Sequence, residues 1–390
     1  MEITHRVDKN ILYIFIRGKI DSTNASAAQN AISAIRNENK GSYTVIDAEH
    51  LVYMSSAGLR VLLKLRKEEP KLAIINASAD LYQIFQMTGF TELITIEKAY
   101  PRITIDGCEY IARGSNGAVY RYNDDTIVKV YFSKDALPEI KQERENARRA
   151  FVHGVNTAIP YGIVRVGEGY GTITELLNAT SITKMIRRNP EDLTLAAEYF
   201  VDMLKSLHAI EAEDSEFPDM REMALGWADF VAEHIPEDQG KKLRALIEAI
   251  PKCNTLLHGD YHTDNVTIQN GEALVIDLET LCMGHPIFEL ASMFNAFVGF
   301  SETNHQNIQD FMGYSFETAG RFWKKVLKMY LGTDDEALCR SVEEKAMVIG
   351  YTRLLRRAIR RPQEVYSAAI LTRSKEMLKT LLSKVDTLVY

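Results

Sequence analysis

One segment of the chain, LLHGDYHTDNVTIQNGEALVIDLE, combines acids and an amide in an order that suits phosphoryl transfer. Asp260 lies two residues after His258, Asn265 lies five residues after Asp260, and Asp277 ends an apolar run. In phosphoryl transfer an Asp orients the attacking hydroxyl, while an Asn and a second Asp hold Mg²⁺ on the phosphates of ATP. The segment therefore predicts Asp260 as catalytic base and Asn265 and Asp277 as metal ligands. An Asp buried at a strand end would need such a cation.

A glycine-rich stretch with the pattern Ala112-x-Gly114-Ser115-x-Gly117-x-Val119 lies between two predicted strands. Small residues there would let backbone N–H groups approach phosphate oxygens, and Val119 could cover an adenine ring. A hairpin of this composition is more often only a turn. The nucleotide-binding interpretation therefore depends on the other motifs.

A cation within a predicted strand is the next candidate. Lys129 lies in TIVKVYF among apolar residues, although a surface lysine would be the ordinary interpretation. Glu143 lies in the helical stretch IKQERENARRAF, and an acid on a helix facing that strand would hold Lys129 on the α- and β-phosphates. Glu145 is an alternative. Glu143 is favoured because Ala147 and Ala150 continue its helical face.

Two features bear on the phosphate acceptor. Gly259 stands where regulated protein kinases have the arginine of H-R-D, so this loop offers no guanidinium to a phosphorylated activation loop. Only a few residues separate Asp277 from Gly284, and no A-P-E sequence follows. A small-molecule hydroxyl is therefore the expected acceptor. His258 and His262 lack the Glu of a zinc-binding H-E-x-x-H motif and are expected to brace the loop.

These motifs resemble the aminoglycoside phosphotransferase and choline kinase-like branch of the protein-kinase-like fold. The resemblance covers about residues 104–390 and rests on H-G-D-x-H-x-x-N, IDLET and GHPIFELA. It implies ATP-dependent transfer of a phosphate to a hydroxyl, with magnesium as cofactor. It also implies that backbone groups around Glu175 and Leu177 contact adenine. The family often has Gly and Asp where this chain has Asp264 and Glu289.

About the first 100 residues show short apolar runs alternating with helical stretches. Strands are predicted over ILYIFIRGKI, YTVIDAEHL, KLAIINAS and LITI, and helices over SAAQNAISAIRNEN, AGLRVLLKLRKEE and ADLYQIFQMTGF. The resulting order, β-α-β-α-β-α-β, is typical of a small α/β domain. Charged residues and Pro101 then break the pattern and predict a linker near residue 100.

Two serines, Ser55 and Ser56, lie between a predicted strand and an amphipathic helix. Helix capping is the ordinary role of serine there, although a helix N-terminus also favours a phosphate. The stretch around them resembles the STAS domains of bacterial anti-sigma-factor antagonists, over about residues 1–99. In that family a D-S-[ST]-G-L segment carries a phosphorylated serine that governs partner binding. Ser56 aligns with this serine and is a possible phosphosite, with Ser55 replacing the Asp and Ala57 the next hydroxyl residue.

The rest of the chain begins with predicted β-hairpins and becomes helical from about Asp192, apart from a strand-rich segment at 255–276. The predicted fold class is an α/β STAS-like domain followed by an α+β bilobal protein-kinase-like domain. The predicted boundaries are 1–99 for the first domain and 104–390 for the second, with an N-lobe at about 104–178 and a helical C-lobe at about 179–390.

The late arginine run, YTRLLRRAIRRP, is interpreted as a solvated helix face. Were the acceptor anionic, this helix would be the first place to look for its binding site.

Composition limits the classes of protein to be considered. Among 390 residues, 46% are hydrophobic and 25% are charged, which is typical of a globular protein. The net charge of −7 argues against a nucleic-acid partner, and four dispersed cysteines suggest a reducing compartment. No run approaches the ~18 apolar residues of a membrane span, and the N-terminus lacks the apolar stretch of a signal peptide. A cytoplasmic protein without a membrane partner is expected.

Three hypotheses remain open from the sequence. The first is an ATP- and magnesium-dependent phosphotransferase acting on a small-molecule hydroxyl, with the STAS domain serving regulation or binding a protein partner. The second is a signalling switch that phosphorylates a protein hydroxyl such as that of Ser56. The third is a pseudokinase that binds nucleotide without transfer, which is disfavoured because Lys129, Asp260, Asn265 and Asp277 are all present.

Overall fold

The computed structural model describes residues 1–114, 116–213 and 215–390, so Ser115 of the predicted glycine-rich loop lies outside the described residues. The chain forms two compact units, Met1–Thr104 and Ile105–Tyr390, and each has its own hydrophobic core. Within the described part of the chain, no helix is long and apolar enough to cross a membrane.

The first unit is built on a mixed sheet with strand order β1-β2-β3-β5-β6, in which β4 also pairs with β2. Strand β1 is antiparallel to β2, and the other pairings are parallel. Alternate residues of β2 are buried because one face of this strand packs on the core. The elements are β1 (Glu2–Asp8), β2 (Ile11–Ile20), α1 (Ala25–Glu38), β3 (Tyr43–Asp47), β4 (Leu51–Met54), α2 (Ser56–Glu68), β5 (Ala73–Ala77), α3 (Ala79–Met87), α4 (Phe90–Leu93), β6 (Thr95–Lys98) and β7 (Arg102–Ile103).

The predicted mixed α/β content of this unit is confirmed, but the predicted order omitted three strands, β1, β4 and β7, and the short helix α4. Strand β1 was missed because nearly all its residues are exposed, so it has no apolar run. Strand β4 was missed because YTVIDAEHL was predicted as one strand that ends at Leu51. Instead, the Asp47 side chain accepts a hydrogen bond from the Glu49 N–H at 2.9 Å and the Leu51 N–H donates to the Ala48 carbonyl at 3.0 Å, which makes a turn before β4.

The second unit begins with an antiparallel sheet in which β11, β12, β10, β9 and β8 are adjacent in that order. Helix α5 packs against this sheet and carries Pro138 in its first turn, where a missing N–H costs nothing. The elements are β8 (Glu109–Arg113), β9 (Gly117–Arg121), β10 (Thr126–Tyr131), α5 (Leu137–Val152), β11 (Pro160–Val166) and β12 (Gly169–Glu175).

The remainder of the second unit is mostly helical, and its helices begin at Ile182 rather than near the predicted Asp192. The elements are β13 (Thr180–Ser181), α6 (Ile182–Arg188), α7 (Thr194–His208), α8 (Met220–Ala232), α9 (Glu237–Glu248), β14 (Leu256–Leu257), β15 (Val266–Gln269), β16 (Glu272–Val275), a 3₁₀ turn (Leu278–Thr280), β17 (Cys282–Met283), α10 (Ile287–Phe294), a π-helical turn (Asn295–Gly299), α11 (Gln306–Met312), α12 (Phe316–Leu331), α13 (Glu336–Arg360) and α14 (Ser367–Leu382).

Two local features position the sequence segment at 256–279, which carries Asp260, Asn265 and Asp277. Strands β15 and β16 form a hairpin through Asn270 and Gly271, both with positive φ, as a tight two-residue turn requires. Tyr261, which precedes the hairpin, is fully buried, and its hydroxyl donates to the Phe200 carbonyl at 2.7 Å. The loop before β15 is therefore anchored in the core of the helical lobe.

Candidate active site

The loop between β14 and β15 holds Asp260. Its side chain is half exposed, and Oδ2 lies 3.6 Å from Nε2 of His262, whose ring is nearly buried. Burial of the Asp260 carboxylate opposes ionisation. The hydrogen bond and charge of His262, with the charge of Arg353, outweigh this effect and lower the pKa of Asp260. Asp260 is therefore a carboxylate at neutral pH, as a proton acceptor must be.

The backbone before Asp260 is held by buried side chains. Glu289 of α10 has no exposed surface and accepts hydrogen bonds from the N–H groups of His258 at 2.5 Å and Gly259 at 3.1 Å. The His258 ring contacts the Ile276 carbonyl at 3.0 Å, and the Thr280 hydroxyl donates to the His258 carbonyl at 2.8 Å. Each buried N–H left without an acceptor would cost about 1–3 kcal/mol, so Glu289 stabilises the loop.

Asn265 and Asp277 lie at neighbouring ends of the β15–β16 hairpin. The Ile276 N–H donates to the Asn265 carbonyl at 2.9 Å, and the Asn265 Nδ2 donates to the Asp260 carbonyl at 3.0 Å. This orientation leaves the Asn265 Oδ1 available to a cation. Asp277 has φ 62°, a left-handed conformation that ends the strand. The expectation that Asp277 is buried was wrong, because it is exposed.

The donor chemistry of this pair fits a magnesium ion. Within the described ranges, no group of three or more His, Cys, Asp or Glu residues is arranged to hold a metal. Mg²⁺ does not need such a group, because it usually binds one or two protein oxygens together with substrate phosphates and water. Asn265 and Asp277 would hold it through hard oxygen atoms.

Lys129 of β10 and Glu143 of α5 form an ion pair at 3.0 Å. The Tyr131 hydroxyl donates to the same carboxylate at 2.6 Å, which fixes the orientation of Glu143. Glu145, the alternative acid, pairs with Arg148 and Arg149 instead. These contacts, the hydrogen bond from Arg148 above all, lower the pKa of Glu145 to about 2. Of the two acids, only Glu143 lies at Lys129.

The glycine-rich stretch turns between β8 and β9. A Cβ atom at Gly117 would lie 2.5 Å from the Val130 carbonyl oxygen, so close pairing of β9 with β10 requires glycine there. The Gly114 N–H donates to the Gly117 carbonyl at 2.9 Å. Val119 pairs directly with Lys129 across the sheet, so the two side chains lie on one face. A nucleotide whose phosphates contact Lys129 could therefore also contact Val119.

The segment after β12 was predicted to contact adenine through its backbone. The N–H of Glu175 already donates to the Ile159 carbonyl at 3.0 Å, and that of Leu176 donates to the Asp125 carbonyl at 2.8 Å. These two donors are therefore unavailable to a base. No described residue accepts a hydrogen bond from the Leu177 N–H, so a backbone contact of Leu177 with adenine stays a prediction.

Comparison with known proteins identifies the family. A model described as the phosphotransferase enzyme family matches residues 107–323, and a STAS domain model matches residues 2–102. The chain belongs to the phosphotransferase enzyme family. The predicted enzyme class, a phosphate-transferring kinase, and the predicted fold class are confirmed, as is the STAS domain in front of it.

Three known proteins are similar to parts of this chain. An anti-sigma-B factor antagonist of Listeria monocytogenes is 30% identical over 101 residues, which are 25% of this chain and 87% of that protein. The ADP-bound aminoglycoside phosphotransferase APH(2'')-Ib is 17% identical with a TM-score of 0.45, over 71% of this chain and 93% of that one. A choline/ethanolamine kinase family protein from Mesorhizobium loti is 12% identical with a TM-score of 0.48, over 71% and 88%. The family assignment rests on the sequence matches, not on these structures.

Two residues that the sequence did not assign to the site support its backbone. Arg353 of α13 donates from Nη1 to the Gly259 carbonyl at 3.2 Å and to the Ser292 hydroxyl at 3.1 Å. Its guanidinium lies 5.7 Å from the ring of Trp227 on α8. The interpretation of the arginine run as a solvated helix face was therefore wrong for Arg353, which supports the loop of Asp260.

Asn146 is a second such residue. It is buried, and its Nδ2 lies 3.4 Å from the carbonyl oxygens of Leu278 and Glu279, which ties α5 to the segment after Asp277. The signal that could have found it is its position one helical turn after Glu143, on the same face of α5.

Replacing Glu143 with Gln in the phosphotransferase domain should raise the KM for ATP about tenfold or more. The substitution removes the charge that positions Lys129, and a hydrogen bond to a charged group contributes about 1.5–3 kcal/mol. Steady-state kinetics with varied ATP measures the effect. Glu145→Gln, two residues along α5, is the matched control and should change this KM less than about twofold. Equal effects of both substitutions would argue against the role of Glu143.

Proposed function

We propose that the second domain transfers the γ-phosphate of ATP to a hydroxyl of a small molecule, with Mg²⁺ as cofactor. The observation that carries this proposal is the convergence of separate segments on Glu279, two residues after Asp277. Its Oε2 accepts a hydrogen bond at 3.3 Å from Nδ2 of Asn116, which lies in the glycine-rich stretch. Its carbonyl oxygen lies 3.4 Å from Nδ2 of Asn146 on α5, the helix that carries Glu143. Partial burial, and then the charges of Glu143 and Asp277, also raise the pKa of Glu279. These contacts support a single phosphate-binding site.

In the proposed reaction the acceptor hydroxyl oxygen forms a bond to the γ-phosphorus, and the bond from that phosphorus to the β,γ-bridging oxygen breaks, so ADP leaves. The hydroxyl proton passes to the carboxylate of Asp260, which is ionised beforehand. Lys129, oriented by Glu143, neutralises phosphate charge. Asn265 and Asp277 would hold Mg²⁺, which would supply further positive charge to the phosphate oxygens.

The short connection after Asp277 supports a small acceptor. Only the 3₁₀ turn Leu278–Thr280 and the two-residue strand β17 separate it from α10, which begins at Ile287. In protein kinases the corresponding segment is long enough to hold a peptide and to carry phosphorylation sites. A chain this short favours an acceptor that binds within the helical lobe.

If Mg²⁺ is held on the phosphates as proposed, its chelation should weaken ATP binding at least tenfold. Removing the cation leaves the phosphates facing the carboxylates of Asp277 and Glu279 without a counter-charge. Titration calorimetry with the full chain, in magnesium and in EDTA, measures the change. Asp277→Asn should abolish most of this metal dependence, whereas Glu272→Gln, an exposed acid on the same hairpin, should preserve it. Equal ATP affinity in magnesium and EDTA would contradict the proposed metal role.

For the STAS domain we propose a protein-interaction role in regulation. Ser56 is exposed as the first residue of α2, and Val52 and Tyr53 of β4 are exposed nearby, at 76% and 48%. Ser55 occupies the N-cap position of α2, but its side chain makes no capping hydrogen bond, so the expected serine cap is absent at this helix. Exposed apolar side chains beside an exposed serine suit a partner surface that phosphorylation could alter.

The full chain incubated with MgATP should keep its mass, because the proposed acceptor is a small molecule and not Ser56. Intact-mass spectrometry before and after incubation is the measurement. A phosphate that appears on the wild type and is absent from Ser56→Ala would contradict this expectation. That result would favour the signalling switch, in which the chain phosphorylates its own STAS domain.

A further inference from the structure

Five arginines near the C-terminal end of α13 divide into two groups. Arg357 lies 3.4 Å from Glu364, and Arg361 lies 3.2 Å from the same acid, so both are paired. The other three are Arg353, Arg356 and Arg360. With 3.6 residues per turn, these three fall within about 60° of one another around the helix, and the two paired arginines lie to one side of them.

The face of α13 that carries Arg353, Arg356 and Arg360 reaches the active site at one end. Arg353 contacts the carbonyl of Gly259, the residue before Asp260. At 1.5 Å per residue, Arg356 and Arg360 lie about 5 and 11 Å farther along the helix axis. A molecule that places a hydroxyl at Asp260 could therefore contact these arginines with a group roughly 5–10 Å away, which is within the length of a small metabolite.

Arg356 and Arg360 have no acidic side chain as an ion-pair partner among the described residues. Among residues 1–114, 116–213 and 215–390, no acid forms an ion pair with Arg356 or Arg360. Arg356 is half buried, and burial together with the charges of Arg360 and Arg353 lowers its pKa. The chain has 53 acidic residues against 46 basic ones, so acids are not scarce. Asp260 supplies a negative charge near Arg353, but Arg356 and Arg360 have no acid of their own and are repelled by each other and by Arg353, so a bound anion would relieve that repulsion.

We propose that the phosphate acceptor carries an anionic group, a phosphate or a carboxylate, which Arg356 and Arg360 bind while its hydroxyl lies at Asp260. Arg353 lies between these two ends and supports the catalytic loop. This inference rests on the proposed phosphotransferase function and names the class of its substrate. A polycationic acceptor such as an aminoglycoside would be repelled by the same face, so this chain should not use one.

The first experiment measures anion binding independently of turnover. The full chain is saturated with MgAMP-PNP to fill the nucleotide site, and inorganic phosphate or acetate is titrated by calorimetry. At least one of the two should bind the wild type, and Arg356→Gln/Arg360→Gln should weaken that binding at least tenfold. Arg340→Gln/Arg361→Gln removes the same charge from α13 and from the residue that caps its C-terminal end, and should change that binding less than twofold. Binding of phosphate alone assigns a phosphorylated acceptor, and binding of acetate alone a carboxylated one.

The second experiment measures ADP formation with matched acceptors: glycerol against glycerol 3-phosphate and glycerate, ribose against ribose 5-phosphate, and kanamycin. Anionic members should be used in preference to the neutral member of each set. Turnover of kanamycin or of a neutral member alone would overturn the inference while the phosphotransferase function stands. An absence of anion binding to the wild type, or equal losses in both double variants, would also overturn it. A third outcome separates the two proposals. If only Arg356→Gln/Arg360→Gln loses anion binding, but the wild type turns over ATP no faster than Asp260→Asn does, the anion site stands and the proposed phosphotransferase function is rejected.

Discussion

Replacement of Asp260 with Asn should lower the rate of phosphate transfer by about 10²–10⁴-fold, the usual contribution of a general base. Asn has the same shape but cannot accept the hydroxyl proton as a carboxylate does. The backbone of the loop should be unaffected, because Glu289, Thr280 and Ser292 bind its backbone groups and not the Asp260 side chain. ADP formation with a saturating acceptor is the measurement.

The matched control for Asp260→Asn is Asp264→Asn, which makes the same chemical change four residues along the same loop. Its rate should stay within about threefold of the wild type, because a partly exposed acid that has no role in the proposed reaction contributes little. ATP affinity should be similar in both variants, since neither changes Lys129. If Asp260→Asn kept more than a tenth of the wild-type rate, Asp260 would not be the base.

Replacement of Gly259 with Ala should destabilise the second unit by about 3 kcal/mol and abolish most activity. Gly259 has φ 79°, where a side chain costs about 1–2 kcal/mol, and its new Cβ would lie 2.4 Å from the Thr280 carbonyl oxygen. That atom is backbone, so it can move only by displacing the segment after Asp277, and such overpacking costs about 1–3 kcal/mol more.

Gly271→Ala separates these two contributions. Gly271 has φ 85°, but a Cβ there would have no atom within 4 Å, so only the backbone strain of about 1–2 kcal/mol should remain. Both tryptophans of the chain, Trp227 and Trp323, lie in the second unit, so fluorescence-detected urea unfolding reports on this unit. Equal stabilities of the two variants would refute the close contact between Gly259 and Thr280.

Much of the candidate site could be predicted from the sequence because its geometry is local. The Asn270–Gly271 turn makes a tight hairpin, and this hairpin brings Ile276 back to Asn265. Helical spacing on α5 was enough to favour Glu143 over Glu145, since residues three and four apart share a face. Lys129 was noticeable as a cation in an otherwise apolar strand, and its ion pair with Glu143 distinguishes it from an ordinary surface lysine.

Other features depend on tertiary contacts or backbone conformation that no local pattern records. Arg353 lies on a helix far along the chain from Gly259, and its spacing alone is equally compatible with a solvated face. Asp277 was expected to be buried because an apolar strand precedes it, but its left-handed backbone ends the strand and leaves the residue exposed. Strand β1 has an almost fully exposed surface and so lacks the periodic burial that identifies a strand.

The central claim is that this chain moves the γ-phosphate of ATP to a small-molecule hydroxyl through Asp260. It is tested most directly by incubating the full chain with [γ-³²P]ATP, magnesium and a deproteinised bacterial metabolite extract, and by separating labelled metabolites from protein and inorganic phosphate. Label should appear in a metabolite with the wild type and fall to background with Asp260→Asn. Label found only on the protein, or in a metabolite at equal levels with both chains, would contradict the claim.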